Sequence, residues 1–358
     1  MVAKLRIKNG KSKVLAKKKL IKVWQKEKKP YLCRDRTHTL LIMVYNEIGK
    51  TGLRVSNLGF GASSLGGVFH SLREEEGIEA VFTAIDGGIN FIDVSPYYGH
   101  LKAEMVLGKA LRQIKRDRYV LSTKVGRYGK DGVNTWDYSA ERVRSSVYES
   151  LERLGVDYID IINVHDIEFQ ADLPGGLQKI IDETLPALLE LKREGVVGHV
   201  GLTDLQPENL KWVVERVDDG TVESILNFCH YSLNDTILAD YLGFFENHGV
   251  GVINASPLSM GLLSERGAPD WHPATKELRQ ACARAAQYCH EQGYPIEKLA
   301  MQFSTSLNPR IATTLFSSTN PKNVLKNIAY VEEPCDMELV MKVQEIIGDQ
   351  MFVRWKNS

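Results

Sequence analysis

The amino-acid sequence predicts an α/β protein that folds as a single-domain (β/α)₈ TIM barrel. From residue 45 onward, short β-branched or apolar runs alternate with longer amphipathic runs, as expected when each buried parallel strand is followed by a helix. The alternation occurs eight times, which is the strand and helix count of this barrel. A doubly wound sheet is the alternative, but the sequence lacks the Gly-x-Gly-x-x-Gly turn that such a sheet places between a strand and a helix.

Eight short runs rich in β-branched and apolar residues predict the strands. Their length is typical of strands that are buried on both faces in a parallel sheet. In chain order, the predicted strands are residues 55–60, 90–94, 119–124, 158–164, 197–202, 224–228, 249–255 and 311–316.

The longer runs between these strands have the period of amphipathic helices. In the first of them, Ile78, Val81, Phe82 and Ile85 lie on one helical face. Glycines follow several of these runs, where a helix commonly ends. The predicted helices are residues 74–87, 104–113, 140–154, 184–194, 207–217, 236–248, 276–292 and 321–331.

The first 42 residues differ in composition from the rest of the chain. They hold 14 Lys and Arg against 2 Asp and Glu, whereas the other 316 residues hold 31 basic and 43 acidic side chains. Such charge runs cannot bury a core, so we expect a disordered basic extension over residues 1–42, upstream of a barrel over residues 43–358. A transit peptide, or an electrostatic arm for RNA or an acidic membrane, is the alternative for this segment.

Composition excludes several classes of protein. No run of 18 apolar residues is present to span a membrane, and the acidic body lacks the basic face of a nucleic-acid-binding protein. The 5 cysteines form no Cys-x-x-Cys pair, which favours reduced thiols and a cytoplasmic location. His230 and His272 have no third ligand at a suitable spacing, so no metal site is predicted.

Polar residues stand at the ends of three predicted strands, where the chemistry of a parallel barrel is located. Asp93 ends the second strand, Lys124 ends the third, and His165 follows the fourth. The second strand runs into a loop that carries Tyr98. Each residue alone is more often structural, but together they are expected to converge over one side of the barrel mouth.

These four side chains are suited to proton transfer. A tyrosine hydroxyl has an ordinary pKa near 10, which is too high for easy proton exchange at neutral pH. An ammonium beside Tyr98 lowers that pKa, and the carboxylate of Asp93 keeps Lys124 charged. The imidazole of His165 hydrogen-bonds the reacting oxygen. The set moves protons at a carbonyl or an alcohol but supplies no hydride.

The motifs around these residues resemble those of the aldo-keto reductase superfamily in order and spacing. The similarity covers about residues 45–350 of the sequence. The motifs are Asp93-x-Ser-x-x-Tyr98-Gly99, Ser122-Thr123-Lys124, Asn163-x-His165-Asp166, Gly201-Leu-Thr203-Asp204, Ala255-Ser-Pro-Leu258 and residues 323–327.

The resemblance implies a barrel enzyme that binds NAD, with NADP as the alternative, extended across the barrel mouth without a Rossmann domain. It implies that Tyr98 is the general acid/base, that Asp93 and Lys124 tune it, and that His165 orients the substrate. The residues that it assigns to the cofactor are Ala62, Ser63, Thr203, Asp204, Ser256, Leu258, Ser317, Ser318, Thr319, Asn323 and Asn327.

Three positions depart from the pattern of the superfamily. Ser317 stands where glycine is usual, which would hinder a close approach of the backbone to the adenosine phosphate. Asp204 replaces the common Asn or Gly, and its carboxylate can accept a hydrogen bond from a carboxamide but cannot donate one. Lys326, together with Lys322, places two cations near the expected adenosine ribose, which keeps NADP in consideration.

Within the superfamily, the motifs are most similar to those of plant enzymes that act on L-galactose. This similarity implies an NAD-dependent aldose 1-dehydrogenase that oxidises the anomeric C1 hydroxyl of L-galactose to the 1,4-lactone, a step towards ascorbate. The expected partner is a small-molecule sugar, and the expected state is a monomer or a weak homodimer. Two alternatives stay open, namely an NADPH-dependent aldehyde or ketone reductase and a non-catalytic, cofactor-sensing binding subunit. Tyr97, Trp136 and Tyr138 either line a sugar pocket or pack within loops.

Overall fold

The computed structural model describes residues 43–67, 73–130 and 133–355. The basic segment 1–42 lies outside the described residues, so the disordered extension and the boundary at residue 43 stay predictions. Within the described ranges, no helix combines the length and the apolar character that crossing a membrane requires.

Eight parallel strands in the described part of the chain close into a barrel, which confirms the predicted fold class. The barrel consists of β3, β4, β5 and β8 to β12, and β12 pairs with β3 to close it. In chain order, the strands are β1 (Tyr45–Glu47), β2 (Arg54–Ser56), β3 (Leu58–Gly61), β4 (Phe91–Asp93), β5 (Val120–Val125), β6 (Arg127–Lys130), β7 (Val133–Trp136), β8 (Ile159–Val164), β9 (Val197–Asp204), β10 (Ser224–Phe228), β11 (Gly251–Ala255) and β12 (Ile311–Phe316).

The helices pack around the barrel and carry clear end signals. In the helix that spans residues 140–154, Ser139 caps the start by accepting from the Arg142 backbone N–H, and Gly155 ends it with a left-handed φ of 68°. The described helices are α1 (Glu74–Asp86), α2 (Lys102–Leu111), α3 (Ala140–Leu154), α4 (Glu168–Ala171), α5 (Leu185–Arg193), α6 (Pro207–Val214), α7 (Leu242–Asn247), α8 (Lys276–Glu291), α9 (Ile296–Ser306), α10 (Pro321–Glu332) and α11 (Met337–Ile347).

The first predicted strand, residues 55–60, is in fact divided between two sheets. β2 pairs antiparallel with β1 in a short hairpin, whereas β3 joins the barrel. Asn57 stands at the division: its N–H donates to the Val44 carbonyl at 2.7 Å, and its carbonyl accepts from Thr314 of β12 at 2.9 Å. The backbone of this one residue therefore connects the hairpin to the barrel.

The hairpin of β1 and β2 covers the N-terminal end of the barrel. Ile48 and Val55 are fully buried and pack on the interior residues Phe91 and Ile161. The contact with the barrel is backbone to backbone, because a Cβ built on Gly251, the first residue of β11, would lie 2.6 Å from the Gly49 nitrogen. In the part of the chain that the structure describes, the barrel interior is open at the opposite end, where the strands finish.

Candidate active site

The open end of the barrel lies at the C-terminal ends of the strands and holds a cavity of about 820 Å³. Asp93 ends β4, and Lys124 lies near the end of the neighbouring strand β5. His165 directly follows β8, and Tyr98 lies in the loop after β4. All four residues line the cavity, so the structure brings the predicted catalytic set together.

The ammonium of Lys124 is buried and is held by two hydrogen bonds. It pairs with Asp93, donates to the Val94 carbonyl at 2.8 Å and lies 5.0 Å from the centre of the Tyr98 ring. Burial alone would lower the pKa of Lys124, but Asp93 and Tyr98 outweigh it, and the net pKa is raised. Lys124 therefore carries a positive charge at neutral pH, although only 1% of its side chain is exposed.

Asp93 is held in place by both of its oxygens. One pairs with Lys124, and the other accepts from Ser122 at 2.7 Å. Ser122 in turn accepts from the Asn163 amide at 2.9 Å, which links β4, β5 and β8. Burial raises the pKa of Asp93, and Lys124 opposes the rise without cancelling it.

The pKa of Tyr98 differs from the sequence-based expectation. Lys124 lies 5.0 Å from the centre of the Tyr98 ring and lowers its pKa, as expected. Burial has the larger effect in the opposite direction, however, and the pKa of Tyr98 is raised to about 12. The expectation of an unusually acidic phenol is therefore wrong for this state of the protein, because burial raises the pKa of Tyr98 by more than the Lys124 ammonium lowers it.

His165 is a neutral imidazole on the cavity wall. Its Nδ1 lies 3.0 Å from the Ser95 hydroxyl, and its ring packs edge-to-face with Tyr98 at 5.7 Å between centroids. Burial lowers the pKa of His165 to about 3, so the ring is uncharged throughout the physiological range. A neutral imidazole of this kind can hydrogen-bond an oxygen without competing for its proton.

Hydroxyl and amide side chains form one wall of the same cavity. They come from the end of β9, from the segments after β3, β11 and β12, and from the first half of α10. Ala62 and Asp204 are not among the lining residues. The predicted cofactor residues that do line the cavity are Ser63, Thr203, Ser256, Leu258, Ser317, Ser318, Thr319, Asn323 and Asn327.

This wall fits a dinucleotide in its chemistry. Hydroxyl and amide groups can bond ribose and phosphate oxygens, and Arg266 and Lys326 add positive charge, whereas Lys322 does not line the cavity. The turn after β11 holds Ser256, Ser259 and Met260 at positive φ, a backbone form common where a loop is shaped around a ligand.

Two of the departures noted in the sequence have structural explanations. Ser317 ties the loop after β12 to the loop after β3, since its hydroxyl accepts from the Ser64 N–H at 2.9 Å and donates to the Ser64 hydroxyl at 2.7 Å. Asp204 is fully buried and accepts from Gln206 N at 2.6 Å and from the Asn209 amide at 3.0 Å. Its carboxyl group therefore faces the start of α6 rather than the cavity.

The sequence reasoning missed a second ion pair on the cavity wall. Arg127 and Asp166 are both buried, and Arg127 Nη1 lies 2.5 Å from Asp166 Oδ2. Asp166 has a φ of 48°, and its N–H donates to the Thr203 hydroxyl at 2.8 Å. The sequence does place Arg127 and Asp166 just beyond two apolar strands. A charged residue at such a position is more often exposed to solvent, so this placement did not predict a buried pair.

Tyr138, Trp136 and His230 do not line the cavity. Tyr138 is fully buried, and its hydroxyl lies 2.7 Å from the His165 carbonyl and 2.8 Å from that of Asp166. Trp136 packs on Phe169 at 4.8 Å between ring centroids. His230 is buried against Asp235 at 2.8 Å. Among the described residues, no group of three or more His, Cys, Asp and Glu side chains is arranged to hold a metal ion.

Comparison with known proteins identifies the family. Residues 57–347 match the sequence profile of the aldo/keto reductase family. This chain belongs to the aldo-keto reductase family. Its chemistry is therefore that of an NAD(P)-dependent oxidoreductase, and the lined cavity at the barrel mouth is where such chemistry is located in a (β/α)₈ enzyme.

Individual relatives refine this result. The L-galactose dehydrogenase of Arabidopsis thaliana is 45% identical over 317 residues, which cover 87% of this chain and 96% of the relative. The D-arabinose 1-dehydrogenase of Saccharomyces cerevisiae is 35% identical over 234 residues, or 62% of this chain and 67% of the relative. A holo aldo-keto reductase structure from Bacillus halodurans superposes with a TM-score of 0.69 at 28% identity, covering 85% of this chain and 96% of that one.

Proposed function

We propose that the protein is an NAD-dependent aldose 1-dehydrogenase that oxidises the C1 hydroxyl of L-galactose to the 1,4-lactone. The observation that carries this proposal is the convergence of Tyr98, Lys124 and His165 on one cavity at the barrel mouth. The similarity to two sugar 1-dehydrogenases, one of which is named for L-galactose, supports the choice of an aldose.

In this proposal, Tyr98 takes the proton from the C1 hydroxyl. The positive charge of Lys124 stabilises the phenolate that must form first, and Asp93 keeps the ammonium aimed at the phenol. Neutral His165 holds the reacting oxygen through the ring nitrogen that Ser95 does not contact. A bound nicotinamide cofactor would supply the acceptor for the hydride from C1.

We propose that the wall from Ser256 to Asn327 holds the dinucleotide, and that NAD is preferred over NADP. A 2′-phosphate needs a lysine or arginine to neutralise it. Of the two lysines that the sequence places near the adenosine ribose, Lys326 alone lines the cavity, and its ammonium is engaged with Tyr330. We further propose a cytoplasmic monomer or weak homodimer whose lactone product leads towards ascorbate.

The test is an absorbance assay at 340 nm with the purified full chain, NAD⁺ and L-galactose. We expect wild-type turnover, and we expect Tyr98→Phe to lower kcat by about 10²- to 10⁴-fold, because the proton acceptor is removed. Tyr148→Phe is the matched control, since Tyr148 is 48% exposed on α3 and away from the cavity.

Two outcomes would favour the alternatives. Turnover only with NADPH and small aldehydes would make the protein a carbonyl reductase. Tight cofactor binding without turnover on any sugar would make it a binding subunit.

A further inference from the structure

Arg127 lies beside the proposed catalytic residues, and the mechanism above does not use it. It is the first residue of β6 and lines the cavity together with His165 and Asp166. Only 7% of its side chain is exposed. A buried guanidinium is costly unless it is paired, so its position on this wall requires an explanation.

The guanidinium of Arg127 is held firmly in one orientation. It pairs with Asp166 at 2.5 Å and donates to the Tyr97 hydroxyl at 3.0 Å. The rings of Tyr97 and Phe169 lie 3.9 and 4.4 Å from its central carbon. A donor that packs on two rings and is paired in this way loses little conformational freedom when it binds a ligand.

Donor capacity remains after these contacts are made. A guanidinium carries five N–H donors, and the contacts above use two of them. The Nε of Arg127 is buried and has no hydrogen-bond partner within residues 43–67, 73–130 and 133–355. One N–H group on each of Nη1 and Nη2 is also unused, because each of these nitrogens makes one of the two contacts. Unused guanidinium donors of a residue that lines a cavity favour a ligand rich in acceptor oxygens.

The charges in this part of the cavity are balanced. Lys124 pairs with Asp93, Arg127 pairs with Asp166, and His165 is neutral. The wall therefore presents hydrogen-bond donors without a net positive charge. Such a wall suits an uncharged polyhydroxylated molecule and gives no advantage to a carboxylate or a phosphate ester.

The spacing also suits neighbouring oxygens of one substrate. Asp166 Oδ2 lies 3.5 Å from His165 Nε2 and 2.5 Å from Arg127 Nη1. The imidazole of His165 and the guanidinium of Arg127 are therefore neighbours, because both lie next to the same oxygen of Asp166. An oxygen held by His165 leaves the next oxygen along the carbon chain close to Arg127.

We propose that Arg127 is a specificity-determining residue that donates a hydrogen bond to the hydroxyl on the carbon next to the reacting carbon, in an uncharged substrate. This proposal rests on the proposed function, because it takes the reacting oxygen to lie at Tyr98 and His165. It makes the enzyme selective for 2-hydroxy carbonyl compounds and their hemiacetals, the chemical class to which aldoses belong.

The test compares aldehydes that differ in one hydroxyl group, namely glyceraldehyde and 3-hydroxypropanal, both assayed by NAD(P)H consumption. We expect the wild-type enzyme to prefer glyceraldehyde in kcat/KM. Arg127→Lys keeps the charge that Asp166 requires but loses the planar fork, so its kcat/KM for glyceraldehyde should fall about 10- to 100-fold. Its kcat/KM for 3-hydroxypropanal should change by less than about threefold.

Arg142→Lys is the matched control for this substitution. Arg142 also combines an ion pair, with Glu149, and stacking, on Tyr128 at 4.3 Å, but it does not line the cavity. We expect Arg142→Lys to leave both kcat/KM values unchanged. Equal losses on the two aldehydes in Arg127→Lys would indicate a structural role and overturn the proposal.

The wild-type enzyme provides tests that do not depend on the folding of a variant. Equal kcat/KM for the two aldehydes would overturn the proposal directly. Glyceraldehyde 3-phosphate turned over as well as glyceraldehyde would contradict the requirement for an uncharged substrate. L-Galactose oxidation, measured alongside, judges the proposed function separately: its absence would refute that function, while the preference between the aldehydes would still decide the role of Arg127.

Discussion

Tyr98 experiences two opposed effects whose balance determines how it can work. Burial raises its pKa and the ammonium of Lys124 lowers it, and the result is about 12. At neutral pH the phenol is therefore almost entirely protonated. It is ready to give a proton to a carbonyl, but it must lose one before it can act as a base on an alcohol.

The pH dependence of the two directions should differ as a result. Below pH 12 the phenolate fraction grows about tenfold for each pH unit, so initial rates of L-galactose oxidation should rise from pH 7 to pH 10. Initial rates of aldehyde reduction, which use the protonated phenol, should not rise over the same range. Steady-state kinetics in both directions across this range is the measurement.

The same profile also tests the state of His165. Its pKa of about 3 means that it gains no charge above pH 5, so it should contribute no inflection between pH 5 and pH 8. A clear inflection near pH 6.5 that disappears in His165→Ala would contradict a neutral imidazole at this position.

At the residue scale, the sequence predicted the residues at strand ends well and their energetics less well. Asp93, Lys124 and His165 were recognisable because a parallel barrel brings strand ends to one mouth. The raised pKa of Tyr98 was not predictable, since it depends on burial by distant parts of the chain. Arg127 was missed for the same reason: only the fold shows that an arginine after an apolar strand is buried.

The hydrophobic runs of the sequence located the barrel strands, but they did not show that one run is divided between two strands. Residues 55–60 appeared to be one strand because the apolar residues Val55, Leu58 and Phe60 recur through the run, and only the pairing with different partner strands separates β2 from β3. The helices α9 and α11 were not predicted. α9 begins directly after Pro295, in a stretch that also contains Gly293, and such residues usually indicate a turn.

The contact between Gly49 and Gly251 predicts that a larger residue at position 251 destabilises the fold. Gly251→Ala would push a methyl group to 2.6 Å from the Gly49 nitrogen, so the hairpin of β1 and β2 must shift. We expect the free energy of unfolding to fall by about 1–3 kcal/mol, measured by urea denaturation. The kcat should change little, because the proposed active site lies at the opposite end of the barrel.

Gly243→Ala is the matched control for this prediction. Gly243 lies within α7, and a Cβ there meets nothing within 4 Å. The change should leave stability equal or raise it by up to about 1 kcal/mol, since alanine favours a helix. An equal loss of stability in both variants would show that the glycine contact is not the cause.

The division at residue 43 can be tested by truncation. The buried core described here is built from Ile48 onward, so a chain that begins at Met43 should keep the turnover and melting temperature of the full chain. A chain that begins at Asn57 loses Ile48 and Val55 and should melt at a lower temperature. Loss of activity or stability on removal of residues 1–42 alone would mean that this segment contributes to the folded enzyme.

The hairpin that covers the N-terminal end of the barrel has a consequence for substrate entry and product release. Among the described residues, Ile48 and Val55 are buried against the barrel interior at this end, and the cavity lies at the opposite end. Under the proposed function, the lactone would leave the cavity by the mouth through which the next sugar enters. Product release and substrate binding would therefore compete, and we expect accumulated lactone to slow further turnover by occupying the cavity.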